Sequence, residues 1–560
     1  MQAALYELTL CVMHCGKPHE LLCGRPIGGG DLRRAFSFCA FLAKGVLHHG
    51  VCRGFPGGGR HVFFKISLLS CFLFAIMYLI MVAVFAEEGE KMNTELLKKI
   101  DEAIEASERA LVADIIRLVN IRSEEGDPLP GAPFGEGPRA VQDEVIRMGE
   151  AIGLHTKDYG CGVVSLARED RAPDLGIWLH GDVVPAGTGW RFDPYNAVEY
   201  KGCVVGRGSS DNKGELAGIY HVFKIFEELG IGLSYNPAIY VASNEESGMK
   251  DLRGREGDPE AKGFLKVAKP PRMSLVPDSV FPVGYGGKGG CLLTLVSDKP
   301  LESCSLIAGQ NDAPGFAYAT FARTDLPKTL PDLELTVTES GTTVKAFSPP
   351  VHGAHPDPNG NMITMLSRGL LDADLVTDAE RGILEFFRDV SLDIHGECLG
   401  VRTHHEILGD LTVFAKSIDL VDGRPALVIG IRYPLGITYE EIRSRIAEAA
   451  GKRGFSIAAA TGGIGPYLID PENKTIRLLC EIANGITGEN KAPFTLSGGT
   501  YAHCLPNAYV FGASACLPPE DFEPGHGRPH GVDETVSIAR VKTMMRIYAR
   551  ALLALNEVLG

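Results

Sequence analysis

The sequence predicts an α/β fold with a largely parallel sheet, split by an inserted α+β domain. Three observations carry this reading. Short apolar runs alternate with helical periodicity from Met92 to about residue 289. Between 290 and 460 the character shifts to strand-like segments with fewer helices, as in Leu333–Val337 and Ala426–Ile431. From 461 to 560 the α/β character returns. Residues 1–91 stand apart from all three segments.

In chain order, Asn93 opens an amphipathic helix, with Leu96, Ile100, Ile104, Leu111, Ile115 and Leu118 near helical spacing. Leu175–Leu179 is a buried-strand pattern, Lys213–Leu229 a helix stopped by Gly230, and Ala238–Ala242 the next strand. Helices are expected around Asn361–Leu371 and Glu440–Ala450 in the insertion, and Glu534–Leu559 is a closing helix. With 560 residues, 45% apolar and 22% charged, the chain is long and apolar enough for two or three domains with a sizeable core. A formal charge of -15 argues against a nucleic-acid partner, whose phosphates need a basic face. Of the 14 cysteines six precede Met92, and the other eight, from Cys161 to Cys516, show no paired spacing and read as free thiols of a reducing compartment. Cys11, Cys15, His19 and Cys23 match no zinc-finger spacing.

The first 91 residues hold an uncharged apolar run at 66–85, about 20 residues and thus long enough to span a bilayer. Basic residues precede it and Glu87, Glu88 and Glu90 follow, so an anchor would leave the main body facing outward. The region ahead of the run is too long for an ordinary signal peptide. Another reading is favoured. Glu87-Glu88-Gly89 can be encoded by a purine-rich, ribosome-binding-like stretch just before Met92, and thymine-rich DNA translates into apolar residues. Residues 1–91 are therefore expected to be a non-native extension of a cytoplasmic protein starting at Met92, with a membrane anchor as the alternative.

Five segments place acids or histidines beside turn residues: His180-Gly181-Asp182, Gly206–Gly214 around Asp211, Ser243–Gly248 around Glu245 and Glu246, Val276–Ser279 around Asp278, and His530–Glu534. Singly, each is an ordinary cap, turn or solvated pair. Together they follow strand ends, where ligands of α/β sheets gather. Histidine and carboxylates in such a set suit two divalent ions, and of two adjacent glutamates one can bind metal while the other stays free as a base.

The order H-x-D, D, E-E, D and a late H resembles the M20 metallopeptidases. The spacings agree: 29 residues from Asp182 to Asp211, 34 on to Glu245, and 32 from Glu246 to Asp278. HGDVVPAGTGW, GRGSSDNKG, PDSVFPV, IRYP and GGTYAHCLPNAYVFG resemble the PepV-like (Sapep-like) dipeptidase branch, over essentially all of 92–560. The resemblance implies a zinc-peptidase-like catalytic domain (92–289 and 461–560) with an inserted α+β lid (290–460). It implies two zinc ions, with manganese or cobalt as alternatives. His180 and Asp278 would hold one, Glu246 and His530 the other, and Asp211 would bridge them through a turn with a cis Asp211–Asn212 peptide. Asp182 would orient His180, and Glu245 would be the general base. From the lid, His352 would stabilise the oxyanion, Asn311 would lie near the substrate, and Arg432 would hold its terminal carboxylate. The backbone of Gly499 and Thr500 would assist. His355 and His526 compete with His352 and His530 for their roles.

Thr188 and Gly287 depart from the branch, which often has an acid at the first position and a glutamate at the second. Neither is an expected ligand, so substrate preference rather than catalysis is affected. The implied function is a monomeric dipeptidase. The rivals are another M20 amidohydrolase (acylase, desuccinylase or carboxypeptidase) and a non-catalytic, membrane-tethered binding protein.

Overall fold

Apolar strands that must be covered on both faces, and helices with one apolar stripe, fix the layers of this chain. The computed structural model describes residues 94–560, except 256–257, 259–260, 310–314, 328, 349–356, 358–359 and 514. The apolar run at 66–85, Asn311, His352 and His355 lie outside the described residues. Among the described residues no helix is long and apolar enough to cross a membrane. The chain divides into units at Met1–Glu102 and Ala103–Gly560. The single helix expected from Asn93 is two, over 94–106 and α1 (Glu108–Val119). Between them the Ser107 hydroxyl donates to the Ile104 carbonyl at 2.8 Å, a local bond that competes with helix continuation.

The chain continues through α2 (Glu136–Ala151), β1 (His155–Asp158), β2 (Val163–Ala167), β3 (Leu175–His180), β4 (Val198–Tyr200), β5 (Cys203–Val205), α3 (Gly214–Glu228), β6 (Pro237–Ala242), β7 (Met273–Val276) and β8 (Gly284–Gly287). Strands β9 (Gly289–Ser297), β10 (Ser305–Gly309), β11 (Gly315–Phe321), β12 (Glu334–Thr338) and β13 (Gly341–Ser348) follow. Next come α4 (Met362–Asp372), α5 (Asp378–Leu392), the hairpin β14 (His404–His405) and β15 (Gly409–Asp410), β16 (Thr412–Val421), β17 (Arg424–Tyr433), α6 (Tyr439–Gly451) and β18 (Phe455–Ile464). The remainder is β19 (Tyr467–Leu468), α7 (Lys474–Thr487), β20 (Phe494–Leu496), β21 (Ala508–Val510), β22 (Thr535–Ser537) and α8 (Ile538–Ala554).

One sheet has the order β1-β2-β6-β3-β7-β21-β8-β19, with β20 beside β8. Its middle, β6-β3-β7-β21, is parallel. Its flanks are antiparallel apart from β20, which runs parallel to β8, so the sheet is mixed rather than largely parallel. The reason is local: β1 and β2 are joined by a short turn with Gly160 and Gly162 at positive φ, and only antiparallel neighbours can be joined so tightly. Every residue of β3, β6 and β7 is buried. Trp178 stacks on Tyr240, centroids 4.1 Å apart, which adds about 0.5–1.5 kcal/mol beyond the area buried. His180 lies two residues beyond Trp178, on the same face, where β3 ends.

The second sheet, β12-β13-β11-β10-β16-β17-β9-β18, is antiparallel throughout. Its buried residues form one apolar cluster with α4, α5 and α6 through Leu366, Leu370, Leu384, Phe387 and Ile446. Lys288 alone separates β8 from β9, and Gly465-Pro466 separates β18 from β19. The two sheets are thus joined by a paired ribbon: Gly287 faces Tyr467 and Gly290 faces Ile464. The expected closing helix begins late, because Thr535–Ser537 pairs with β5 as strand β22 before α8 starts.

Candidate active site

The turn after β3 fixes the first two residues. His180 Nδ1 donates to the backbone carbonyl of Asp182 at 2.9 Å, and its Nε2 lies 2.9 Å from Asp211 Oδ1. The Asp182 carboxylate is 3.6 Å from Nδ1, farther than its own carbonyl. It accepts instead from the backbone N–H groups of Glu245, at 3.2 Å, and Glu246, at 3.1 Å. Asp182 therefore orients His180 with its main chain and the two glutamates with its side chain. Burial opposes a charged His180, but the Asp182 and Asp211 carboxylates outweigh it and hold the imidazole well above its usual pKa.

Asp211 sits in a tight turn, Ser209–Lys213, with a cis Asp211–Asn212 peptide. The buried Glu534 shapes that turn by accepting from the N–H groups of Gly208, at 2.9 Å, and Ser210, at 3.0 Å. Arg207 donates to Glu534 at 2.6 Å and to the His530 carbonyl at 3.1 Å, so one buried ion pair ties the Asp211 turn to His530. Asn212 Nδ2 donates to the Pro277 carbonyl at 2.8 Å, immediately before Asp278. Lys213 is buried and donates to the Ile121 carbonyl at 2.7 Å; burial lowers its pKa to about 7. Arg207, Lys213 and Glu534 carried no role in the sequence reading, and Asn212 only as half of the cis peptide, although each lies inside a segment already singled out.

His530 has a left-handed backbone, φ 61°. Its Nε2 is 3.1 Å from Glu246 and 3.2 Å from Asp211 Oδ2. Asp211 thus reaches both histidines, one with each oxygen. His526, its sequence competitor, instead bonds Asp533 at 2.7 Å. Two overlapping sets of potential ligand atoms result: His180, Glu245 and Asp278, and His180, Asp211 and Glu246. Within each set the atoms lie within 4.8 Å of one another.

The donor set, two imidazoles and the carboxylates of Asp211, Glu245, Glu246 and Asp278, suits hard or borderline divalent cations. Its charge balance does too. Burial, then the neighbouring Asp278, pushes Glu245 well above the usual carboxylate range; burial and Asp211 push Asp278 up to about 7. Asp211 is the exception: burial raises it, but His180 and His530 hold it below its ordinary value. The nearby Arg207 is already matched by Glu534.

A cavity of about 370 Å³ opens on this cluster, lined also by Ser279 and the stretch from Phe494 to Thr500, including Gly499. Arg432 is not on its wall. It lies on β17 and makes no ion pair among the described residues, and burial lowers its pKa. Its guanidinium covers Gly290, where an added Cβ would sit 2.1 Å from Nη1. At Gly287 an added Cβ would meet His503 Nε2 at 2.5 Å. The glutamate expected there is thus excluded by the His503 ring, which contacts the Lys288 carbonyl at 3.0 Å. Thr188 is exposed.

Two staphylococcal proteins named "Putative dipeptidase" are similar to the chain. That of Staphylococcus saprophyticus is 28% identical, covering 72% of this chain and 89% of its own length. That of Staphylococcus epidermidis is 26% identical, covering 80% and 97%. In fold, the chain resembles the di-peptidase Dug1p from Saccharomyces cerevisiae at 14% identity and a TM-score of 0.50, covering 82% of this chain and 98% of that one. The model of peptidase family M20/M25/M40 matches residues 177–554, a span that holds every metal-ligand candidate. The chain belongs to this family and is a metallopeptidase.

Proposed function

We propose that the protein is a dipeptidase with two divalent ions, zinc by expectation. Residues 92–289 and 461–560 would form the catalytic domain and 290–460 a lid. Supporting this most directly is the pair Glu245–Glu246. Both backbone amides are held by one carboxylate, yet Glu246 meets His530 while the Glu245 carboxylate makes no hydrogen bond among the described residues. One glutamate is engaged and its neighbour is available. In this reading His180 and Asp278 hold one ion, Glu246 and His530 the other, and Asp211 is shared.

Ions so held would supply Lewis-acid polarisation of the scissile carbonyl and a more acidic attacking water. Glu245, held above the usual carboxylate range by burial and the neighbouring Asp278, takes the proton of that water and delivers it to the leaving amine. His352 stabilises the oxyanion, Arg432 receives the substrate's terminal carboxylate, Asn311 lies beside the substrate, and the Gly499 and Thr500 backbone steadies it. The roles of His352 and Asn311 rest on the family resemblance alone. A lid over a small cavity limits the substrate to dipeptides and leaves the protein monomeric. The staphylococcal relatives' names point to the same substrate class.

The test uses the full chain, stripped with a chelator and reloaded with zinc, manganese or cobalt. The expected outcome is metal-restored cleavage of dipeptides and no cleavage of tetrapeptides. Glu245→Gln should lower kcat by about 10²–10⁴-fold while retaining bound metal. Cleavage of N-acyl amino acids in place of dipeptides would favour the other amidohydrolases of the family.

A further inference from the structure

The loop after β6 carries Glu245 and Glu246, and four of its consecutive backbone N–H groups end on buried carboxylates. Asp182 takes those of Glu245 and Glu246. Asp251 takes those of Ser243 and Asn244, both at 2.8 Å and both on Oδ2. The same oxygen accepts a third bond, 2.6 Å long, from the Tyr501 hydroxyl. Asp251 is fully buried and Tyr501 is 1% exposed. Rotating any of these four peptides would break a bond to a carboxylate, the strong kind of hydrogen bond.

Tyr501 also has a second attachment. It directly follows Gly498, Gly499 and Thr500, which line the cavity, and Thr500 caps its turn by accepting from the Ala502 N–H at 3.2 Å. One carboxylate oxygen thus joins the glutamate loop to another stretch of cavity wall.

We propose that Asp251 is a positioning residue for Glu245, and that the Tyr501 hydroxyl acts through it to hold the glutamate loop in register with the Gly498–Thr500 wall. The proposal rests on the reading of Glu245 as the base of a dipeptidase. Among the described residues neither Asp251 nor Tyr501 hydrogen-bonds a ligand candidate's side chain, and neither lines the cavity, so their effect is on the aim of Glu245.

The test compares full-length wild type, Tyr501→Phe and Asp251→Asn, each loaded with zinc, on an alanine–alanine dipeptide. Backbone amide exchange of the 243–248 segment is read by mass spectrometry on the metal-free proteins. Tyr501→Phe keeps the ring beside Trp178 and removes only the hydroxyl. It is expected to lower kcat about tenfold, leave KM and zinc affinity unchanged, and speed exchange of the 243–248 amides. Asp251→Asn should lower kcat by about 10–100-fold. Should that variant not fold, Tyr501→Phe decides alone. Wild-type kcat and exchange in Tyr501→Phe would overturn the proposal. So would a drop in melting temperature with unchanged kcat, which marks a purely structural bond. A wild type that cleaves no dipeptide fails one step earlier, at the dipeptidase reading, and takes the proposal with it.

Discussion

At Arg432 a half-buried charge meets no acid among the described residues. Burial lowers its pKa, and among the described residues it makes no ion pair. A guanidinium fork so placed is suited to a carboxylate that arrives with the substrate. Arg432→Lys keeps the charge but loses the fork, so kcat/KM for a dipeptide should fall about 10–100-fold, the worth of a charge-assisted bond of about 1.5–3 kcal/mol. The same substitution should barely affect a dipeptide amide, and steady-state kinetics on both substrates checks this. Equal losses on both would remove Arg432 from the carboxylate role. Arg432 was legible only through the family resemblance of IRYP, whereas His180, Asp211, Glu245, Glu246, Asp278 and His530 also stood out because each lies beside a turn. The supporting shell was not. Asp182 has its carboxylate on two amides 63 and 64 residues away, and Arg207 meets Glu534 across 327 residues. No local pattern encodes such a partner.

Helix α5 shows what an element needs beyond apolar periodicity. Its capping box, Thr377 with Glu380, stood in the sequence as T-D-A-E but was not read, and the helix was missed. Here the capping glutamate reaches further than its own helix. Glu380 accepts from the Thr377 N–H at 2.9 Å and the Ser303 N–H at 2.9 Å, as well as from both hydroxyls, so it ties α5 to the segment before β10. Burial alone would raise its pKa, but these donors hold it down to about 2. The folded value lies below the unfolded one. Its contribution is therefore complete above pH 4.5 and is lost as the pH falls toward 2. The stability advantage of wild type over Glu380→Gln should shrink by about 2 kcal/mol between pH 6 and pH 3. Denaturant unfolding of both proteins at the two pH values measures it; a constant gap would mean that folding does not lower the Glu380 pKa. Other elements were legible only in part. The start of α8 was misplaced because the three residues before it fit a strand or a helix equally well. Pairing with β5, distant in sequence, decides for the strand.

Across the whole molecule, the fold gathers four carboxylates and two imidazoles from five separate segments into one partly buried cluster on the cavity wall. Without cations this concentrates negative charge where water screens it only in part. Burial and neighbouring acids raise Glu246, Glu245 and Asp278, the last to about 7. A carboxyl whose folded pKa exceeds its unfolded one stabilises most at low pH, below the unfolded value. That contribution disappears as the pH rises through the folded value. The metal-free protein should therefore lose stability between about pH 4 and pH 7. Cations bound by the same groups displace these protons, so their stabilising effect must grow over the same interval. At a zinc concentration 100 times the Kd the gain is about 2.7 kcal/mol, and the Kd itself tightens as the pH rises. Melting temperatures of chelated and zinc-loaded full-length protein should thus lie closer together at pH 5 than at pH 7.5. Asp278→Asn removes one charge of the cluster. It should raise the metal-free melting temperature at pH 7.5 while shrinking the response to zinc. If the gap between loaded and stripped protein were the same at both pH values, the acids would not be exchanging protons for metal.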